Sequence, residues 1–132
     1  MKKILFLVLL ISLFLVSACT NGKMQSLEAF YKDAKIESID KVIIQDGSTG
    51  ASKTITKQEQ INEFVFLIKD IKFTPQDNQD ERVGWRYGIT LIDSGKEFKF
   101  TLSEIDNTYY DSNPDIFPIV ESYYKQLDIA EE

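Results

Sequence analysis

The chain contains no histidine in 132 residues. That removes Ser-His-Asp and Cys-His catalysis, histidine-ligated zinc and histidine-based pH switching. Its one cysteine, Cys19, has no partner in the chain, so no intramolecular disulfide can form. Folding then rests on a hydrophobic core, which a chain of about 100 residues can build by burying roughly two-thirds of its unfolded surface. Positive charge is also in short supply, with 15 Lys and Arg against 21 Asp and Glu and a net charge of −6. No internal repeat or low-complexity tract is present, and the glycine-containing stretch Asp46–Ser52 lacks the Gly-x4-Gly-Lys-Ser/Thr pattern of a phosphate loop. Its composition is that of a hairpin connection.

What the chain does have, at its very start, is an address. Lys2 and Lys3 precede a run from Ile4 to Val16 that is apolar apart from Ser12, the basic start and apolar stretch of an export signal. As a helix the run would reach roughly 20 Å, at about 1.5 Å per residue, short of the roughly 30 Å hydrocarbon core of a bilayer. It reads as a segment that engages export and is then removed. Lys2 and Lys3 also fit the positive-inside rule.

The run ends in Val16-Ser17-Ala18-Cys19, which resembles the lipobox of bacterial lipoproteins: an aliphatic residue, two small residues and a cysteine. The resemblance covers about the first nineteen residues. It implies diacylglycerol in thioether linkage to the Cys19 sulfur and cleavage between Ala18 and Cys19 by lipoprotein signal peptidase. In size and leader the chain is also similar to small uncharacterised lipoproteins of Gram-positive bacteria, a general likeness with no diagnostic motif beyond the leader. One acyl chain holds a protein only marginally on a membrane, and two hold it stably. The expectation is therefore a lipid-anchored protein on the extracytoplasmic face of the cell membrane, soluble in its folded part.

Removing residues 1–18 takes away Lys2 and Lys3 and leaves 114 residues with 13 basic and 21 acidic side chains, a net charge of −8. That length fits one domain. The charge disfavours nucleic acid, whose phosphates call for Lys and Arg, and disfavours electrostatic docking on anionic lipid. The expected organisation is a signal peptide over 1–18, a lipidated tether with a short helix over 19–35, and a single α+β domain over 36–128.

Within the domain, Met24, Leu27, Phe30 and Tyr31 recur at helical spacing over 24–34. The β-branched run Ile39, Val42, Ile43, Ile44 predicts a buried strand over 36–45. Lys53–Thr56 follows as a short strand. Thr56-Lys57-Gln58-Glu59 has the form of a capping box. Ile61, Phe64, Val65, Ile68 and Ile71 then make one helical stripe, widened by Phe66 and Leu67 and ended by Pro75. Trp85, Tyr87, Ile89 and Leu91 alternate on one strand, Phe98, Phe100 and Leu102 on the next, with Asp93-Ser94-Gly95-Lys96 as the turn between them. A further short strand is expected over 105–111. Asn113 and Pro114 suggest the cap and first position of a last helix that buries Ile116, Ile119, Val120, Tyr123, Tyr124 and Leu127. The predicted fold is α+β, a small antiparallel sheet of 4–5 strands with two main helices on one face.

Three groups invite a chemical role. Asp111, Asn113 and Asp115 match the first alternate ligands of a calcium loop, yet Pro114 and Ile116 break the pattern, and Asn113 and Asp115 fit a helix start better. Asp77, Asp80 and Glu81 crowd one polar loop, where carboxylates repel in solvent unless a cleft organises them. Among the aromatics, Trp85 and Tyr87 read as core, and each Tyr-Tyr pair (109–110, 123–124) should point one ring inward and one outward. If any patch binds a partner, the place to look is near Tyr109, Tyr110 and residues 76–82. The favoured function is a non-enzymatic binding or protein-interaction module of the cell envelope, with no cofactor or metal. The alternatives are a small envelope hydrolase using carboxylates and an accessory lipoprotein that captures a solute.

Overall fold

The computed structural model describes residues 24–132, so the signal segment and the Cys19 anchor lie outside the described residues. The fold is α+β, with two four-stranded antiparallel sheets and three helices among those residues. The single sheet expected from sequence is thus two. The first orders β1 (Gln25–Ser26), β4 (Lys72–Pro75), β8 (Thr108–Asn113) and β7 (Glu104–Ile105) as β1-β4-β8-β7. The second orders β2 (Lys41–Asp46), β3 (Ser52–Ile55), β5 (Tyr87–Asp93) and β6 (Lys96–Thr101) as β3-β2-β5-β6. The helices are α1 (Leu27–Asp33), α2 (Gln58–Ile68) and α3 (Ile116–Gln126).

The second sheet follows the sequence pattern closely. In β5 burial alternates along the strand, with Tyr87, Ile89 and Leu91 inward, as a sheet with one solvated face requires. Asp93 pairs with Lys96 around a two-residue turn in which Ser94 and Gly95 take φ of 51° and 86°. Positive φ at both central positions matches the turn to the twist of the strands. A second turn of this kind joins β7 to β8 through Asp106 (φ 50°) and Asn107 (φ 63°), where one strand over 105–111 was expected. Asp and Asn tolerate this conformation through their short polar side chains.

The inner face of the second sheet packs against α3, where the Tyr87 ring lies 6.0 Å from Phe117 and 5.5 Å from Tyr124. On its other side α3 meets α2 through Phe64 and Tyr123, 4.9 Å apart. A helix held between a sheet and a second helix buries two adjacent positions, so Tyr123 and Tyr124 are both inside, and the expected inward–outward split fails for that pair. At the other end, Phe30 of α1, Phe73 and Tyr110 form an edge-to-face cluster with centroids 5.4–6.2 Å apart. Strand β1 pairs with β4, and Leu27 and Tyr31 are core residues.

Local boundaries depart from the sequence reading in four places. Helix α2 begins at Gln58 with Lys57 as its cap and no side-chain capping bond. Ile55 must stay extended to complete β3, so Thr56 lies one position too early to close a capping box. The same helix ends near Ile68, and Phe66 and Leu67 are exposed (73% and 42%) rather than part of its buried stripe. After it, Lys72–Pro75 is a strand bracketed by β1 and β8, a role that four residues cannot announce alone. Helix α3 is capped by Asp115, whose Oδ1 accepts from the Phe117 amide at 3.1 Å, while Asn113 pairs with Lys72 as the last residue of β8.

A buried carboxylate ties the β5–β6 turn to the start of the second sheet. Asp93 Oδ2 accepts from the Ser38 amide at 3.0 Å and the Glu37 amide at 2.8 Å. These backbone bonds hold its carboxyl below the ordinary value of 3.8. A folded-state pKa below the unfolded one contributes stability that is complete above the unfolded value and is lost as pH falls through the folded one. The melting midpoint should therefore start to drop as pH passes below about 3.8. Asp93→Asn should melt lower at pH 7 and show a shallower acid dependence. Parallel pH–melting curves for the variant and the parent would contradict this.

Candidate binding face

The expected patch around Tyr109, Tyr110 and residues 76–82 is occupied by the protein itself. Tyr109 is buried, its backbone N–H donates to Gln79 Oε1 at 2.8 Å, and its carbonyl accepts from Gln79 Nε2 at 2.9 Å. The Tyr109 hydroxyl accepts from the Arg82 amide at 2.9 Å, and the Arg82 guanidinium lies 4.5 Å from the ring centroid. Tyr110 is half-buried in the Phe30–Phe73 cluster. These aromatics hold the loop rather than present it to a partner.

The other predicted groups do not converge. Asp77, Asp80 and Glu81 are exposed along that loop. Asp111 Oδ1 accepts from Gln76 Nε2 at 3.1 Å, Asn113 ends a strand and Asp115 caps a helix. Among the described residues no group of three or more Cys, Asp or Glu side chains is placed to hold a metal ion. Nor is any helix among them long and apolar enough to cross a membrane. Asp46 accepts from the hydroxyl and amide of Ser48 at 2.6 and 2.9 Å, which lowers its pKa. Asp46 and Asp93 are thus both shifted in the direction opposite to that of a general acid.

Two large aromatic rings are exposed among the described residues, Phe66 on α2 and Trp85, and the sequence reading put Trp85 in the core. Strand β5 begins only at Tyr87, and Gly84, with φ of +86°, turns the chain just before Trp85. The alternation of β5 therefore stops short of Trp85, whose indole crosses to the outer face and stays 43% exposed. Its benzenoid edge lies against Gly47 and Gly88: a β-carbon on Gly47 would sit 2.6 Å from Cε3, and one on Gly88 3.3 Å from Cζ3. Two missing side chains make room for one large ring. The Gly47 amide also donates to the Arg86 carbonyl at 2.7 Å, fixing the backbone beside the indole.

Trp85 stands between two hollows. One, of about 500 Å³, lies toward the start of α3 and is lined by Arg86, Leu102, Tyr110 and Phe117. The other, of about 440 Å³, lies over the outer face of the second sheet and is lined by Ile43, Gln45, Thr90, Lys99, Thr101 and Asn107. Strand register explains the second. Gln45, Gly88 and Thr101 lie in one row across β2, β5 and β6, and Ile43, Thr90 and Lys99 lie in the next. All project away from the helices, and Gly88 provides the step against which Trp85 rests. Among the described residues the Thr90 hydroxyl, the Asn107 amide and the Trp85 indole N–H have no hydrogen-bond partner. A larger hollow of about 610 Å³ between α1 and α2 offers less, because its polar groups engage one another. Glu28 pairs with Lys32 at 3.4 Å, and Gln58 donates to Asn62 at 2.8 Å.

Trp85 was visible in the sequence as the one tryptophan. Gly47, Gly84 and Gly88 around it were the available sign that its strand pattern breaks, since glycine within or beside a strand marks a bend or a close approach. Comparison with protein-family models, with curated proteins and with solved structures finds no match to this chain.

Proposed function

We propose that the protein is a lipoprotein anchored through diacylglycerol on Cys19 at the extracytoplasmic face of the cell membrane. In this reading it is a non-enzymatic binding module of the cell envelope whose binding face centres on Trp85. The anchoring rests on the sequence of residues 1–19. The binding face rests on one observation: the tryptophan lies on the outer surface, seated on two glycines between two hollows. An aromatic ring held in place on the surface offers a partner a large contact at little entropic cost, which is why tryptophan is enriched at binding hot spots. A hollow of about 440 Å³ is within the usual size range of ligand sites, roughly 300–1,000 Å³. The hydrolase alternative has less support, since Asp77, Asp80 and Glu81 share one exposed loop and only Glu81 of the three lines a hollow, beside Arg82 and Glu104.

The test is photo-crosslinking in intact cells, with a photoreactive residue in place of Lys99 on the Trp85 face or of Glu63 on α2, behind the sheet. A mobility-shifted adduct should form from position 99 and not from 63, and should fade in a Trp85→Ala background. Equal adducts from both positions would remove the face. In the same cells Cys19→Ala should abolish palmitate labelling, and undiminished labelling would remove the anchor.

A further inference from the structure

We infer that the Trp85 face takes an extended, neutral, β-linked glycan chain. The inference rests on the binding-face reading above and assigns the chemical class of the ligand. The lining of the sheet-side hollow narrows that class by elimination. Its side chains mix donors and acceptors at close quarters: the Thr90 and Thr101 hydroxyls, the Gln45 and Asn107 amides, and the Trp85 indole. Its charged groups are one cation, Lys99, and two anions, Glu104 and Asp106. A polyanion such as a nucleic acid or a teichoic-type phosphate chain needs a surplus of Lys and Arg to replace its counterions, and here the surplus is negative.

A peptide strand would gain its affinity from free backbone groups at a sheet edge. The hollow instead lies over the outward side chains of β2, β5 and β6, of which only β6 is an edge strand. The backbones of β2 and β5 are engaged within the sheet on both sides. A hydrophobic ligand would leave the Thr90 hydroxyl and the Asn107 amide unpaired on binding, at a cost for each, whereas Thr101 already accepts from the Glu104 amide and Gln45 donates to the Gly50 carbonyl.

A pyranose meets each requirement. Its hydroxyls donate and accept, matching Thr and amide partners, and the C–H groups on one ring face are apolar and can lie against the Trp85 indole. Shape adds direction. Outward residues recur every two positions along a strand, roughly 7 Å apart, so Trp85 over Gly88 and then Thr90 define a shallow track rather than a pit. A β-1,4-linked chain is an extended ribbon that fits such a track, whereas an α-1,4-linked chain coils and presents no flat length.

Calorimetric titration of the intact protein in detergent with the pentamer of β-1,4-linked N-acetylglucosamine, with cellopentaose and with maltopentaose tests the inference. Since Trp85 is the one tryptophan, its fluorescence reports the same site directly. A saturable emission change is expected with one or both β-linked pentamers and none with maltopentaose. Trp85→Ala should weaken the calorimetric affinity by about thirtyfold, the loss typical of a central hot-spot ring, and Thr90→Ala by about fivefold, the loss of one hydrogen bond. Maltopentaose binding as well as the β-linked pentamers, or an affinity that survives Trp85→Ala, would overturn the inference. No binding by any pentamer while position 99 still forms a protein adduct in cells would overturn the glycan and keep the face. No binding and no adduct would remove both.

Discussion

Replacing Lys53 with alanine should lower the folding stability by about 3 kcal/mol, the loss of two hydrogen bonds from a charged donor. The side chain of this β3 residue is buried beneath α3, and its Nζ donates to the carbonyls of Tyr124 at 2.7 Å and Leu127 at 2.9 Å. The Tyr124 oxygen belongs to the last turn of α3 and the Leu127 oxygen to its C-cap, where carbonyls have no intrahelical partner and the helix dipole is negative. The ammonium also lies 4.6 Å from the centre of the Tyr124 ring. Burial and the neighbouring Glu131 charge push that phenol up to about 12, so the ring faces Lys53 in its neutral form. A buried ammonium is costly unless it is paired, and here two carbonyls and a ring supply the pairing. Alanine would take the Lys53 donor from the Tyr124 carbonyl, leave the Leu127 carbonyl with the Ile129 amide alone, and detach the end of α3 from β3. In thermal unfolding the loss corresponds to a drop on the order of 10 °C for a domain of this size. Lys53→Met, which keeps most of the stem, should lose nearly as much, because the stem is the smaller part of the contribution. A drop of under about 3 °C in both variants would show that water satisfies those carbonyls unaided.

Gly47→Ala should have the second-largest effect, and it should reach the proposed binding face as well as the fold. The added methyl would overlap the Trp85 carbonyl and press to 2.6 Å from Cε3 of the indole, inside any real carbon contact. The carbonyl is backbone, so relief requires residues 85–86 to move, breaking the bond from the Gly47 amide to Arg86. Overpacking of this kind costs about 2 kcal/mol. Trp85 should be displaced toward water, with a red-shifted emission maximum and lower fluorescence anisotropy, and ligand binding on that face should fall with it. Gly88→Ala serves as the graded control: its methyl would stand 3.3 Å from Cζ3, a distance that a small ring shift relieves. The expected order of effect is Gly47→Ala well above Gly88→Ala. The reverse order, or unchanged emission in both, would mean that the glycines do not seat the ring.

These two residues also mark the limit of what could be read from the chain in one dimension. The β5–β6 hairpin was legible because Tyr87, Ile89 and Leu91 alternate up to Ser94-Gly95 and Phe98 and Phe100 alternate beyond it, a pattern confined to neighbours in sequence. The core of α2 was legible for the same reason, through Ile61, Phe64 and Ile68. Strand β4 was not, because Lys72–Pro75 is extended only by pairing with β1 and β8, 48 and 37 residues away at Gln25↔Phe73 and Thr74↔Asp111. In the sequence Lys53 only opens a short strand, and nothing near it marks the side chain as buried. That it is buried depends on where the last turn of α3 comes to lie, which is a fact about packing.

The candidate site divides in the same way. A tryptophan among glycines is visible in the sequence, yet its alternation with Tyr87 argued for the core, and only the turn at Gly84 and the fit over Gly47 and Gly88 place it outside. Tyr109 shows the converse, since an apparent recognition residue is consumed by Gln79 and Arg82 of a distant loop.

By itself the amino-acid sequence determined the likeness of residues 1–19 to a lipoprotein leader, the exclusion of histidine and disulfide chemistry, the α+β class and the hairpins and helices with strong periodicity. Each of these depends on residue type or on spacing of a few residues, which the chain carries locally. Tertiary structure alone decided that the strands divide into two sheets, that Lys53 closes the end of a helix and that Trp85 is exposed while Tyr109 is buried. Those outcomes depend on contacts between residues tens of positions apart, and it is the packing of the whole domain that selects among the local alternatives.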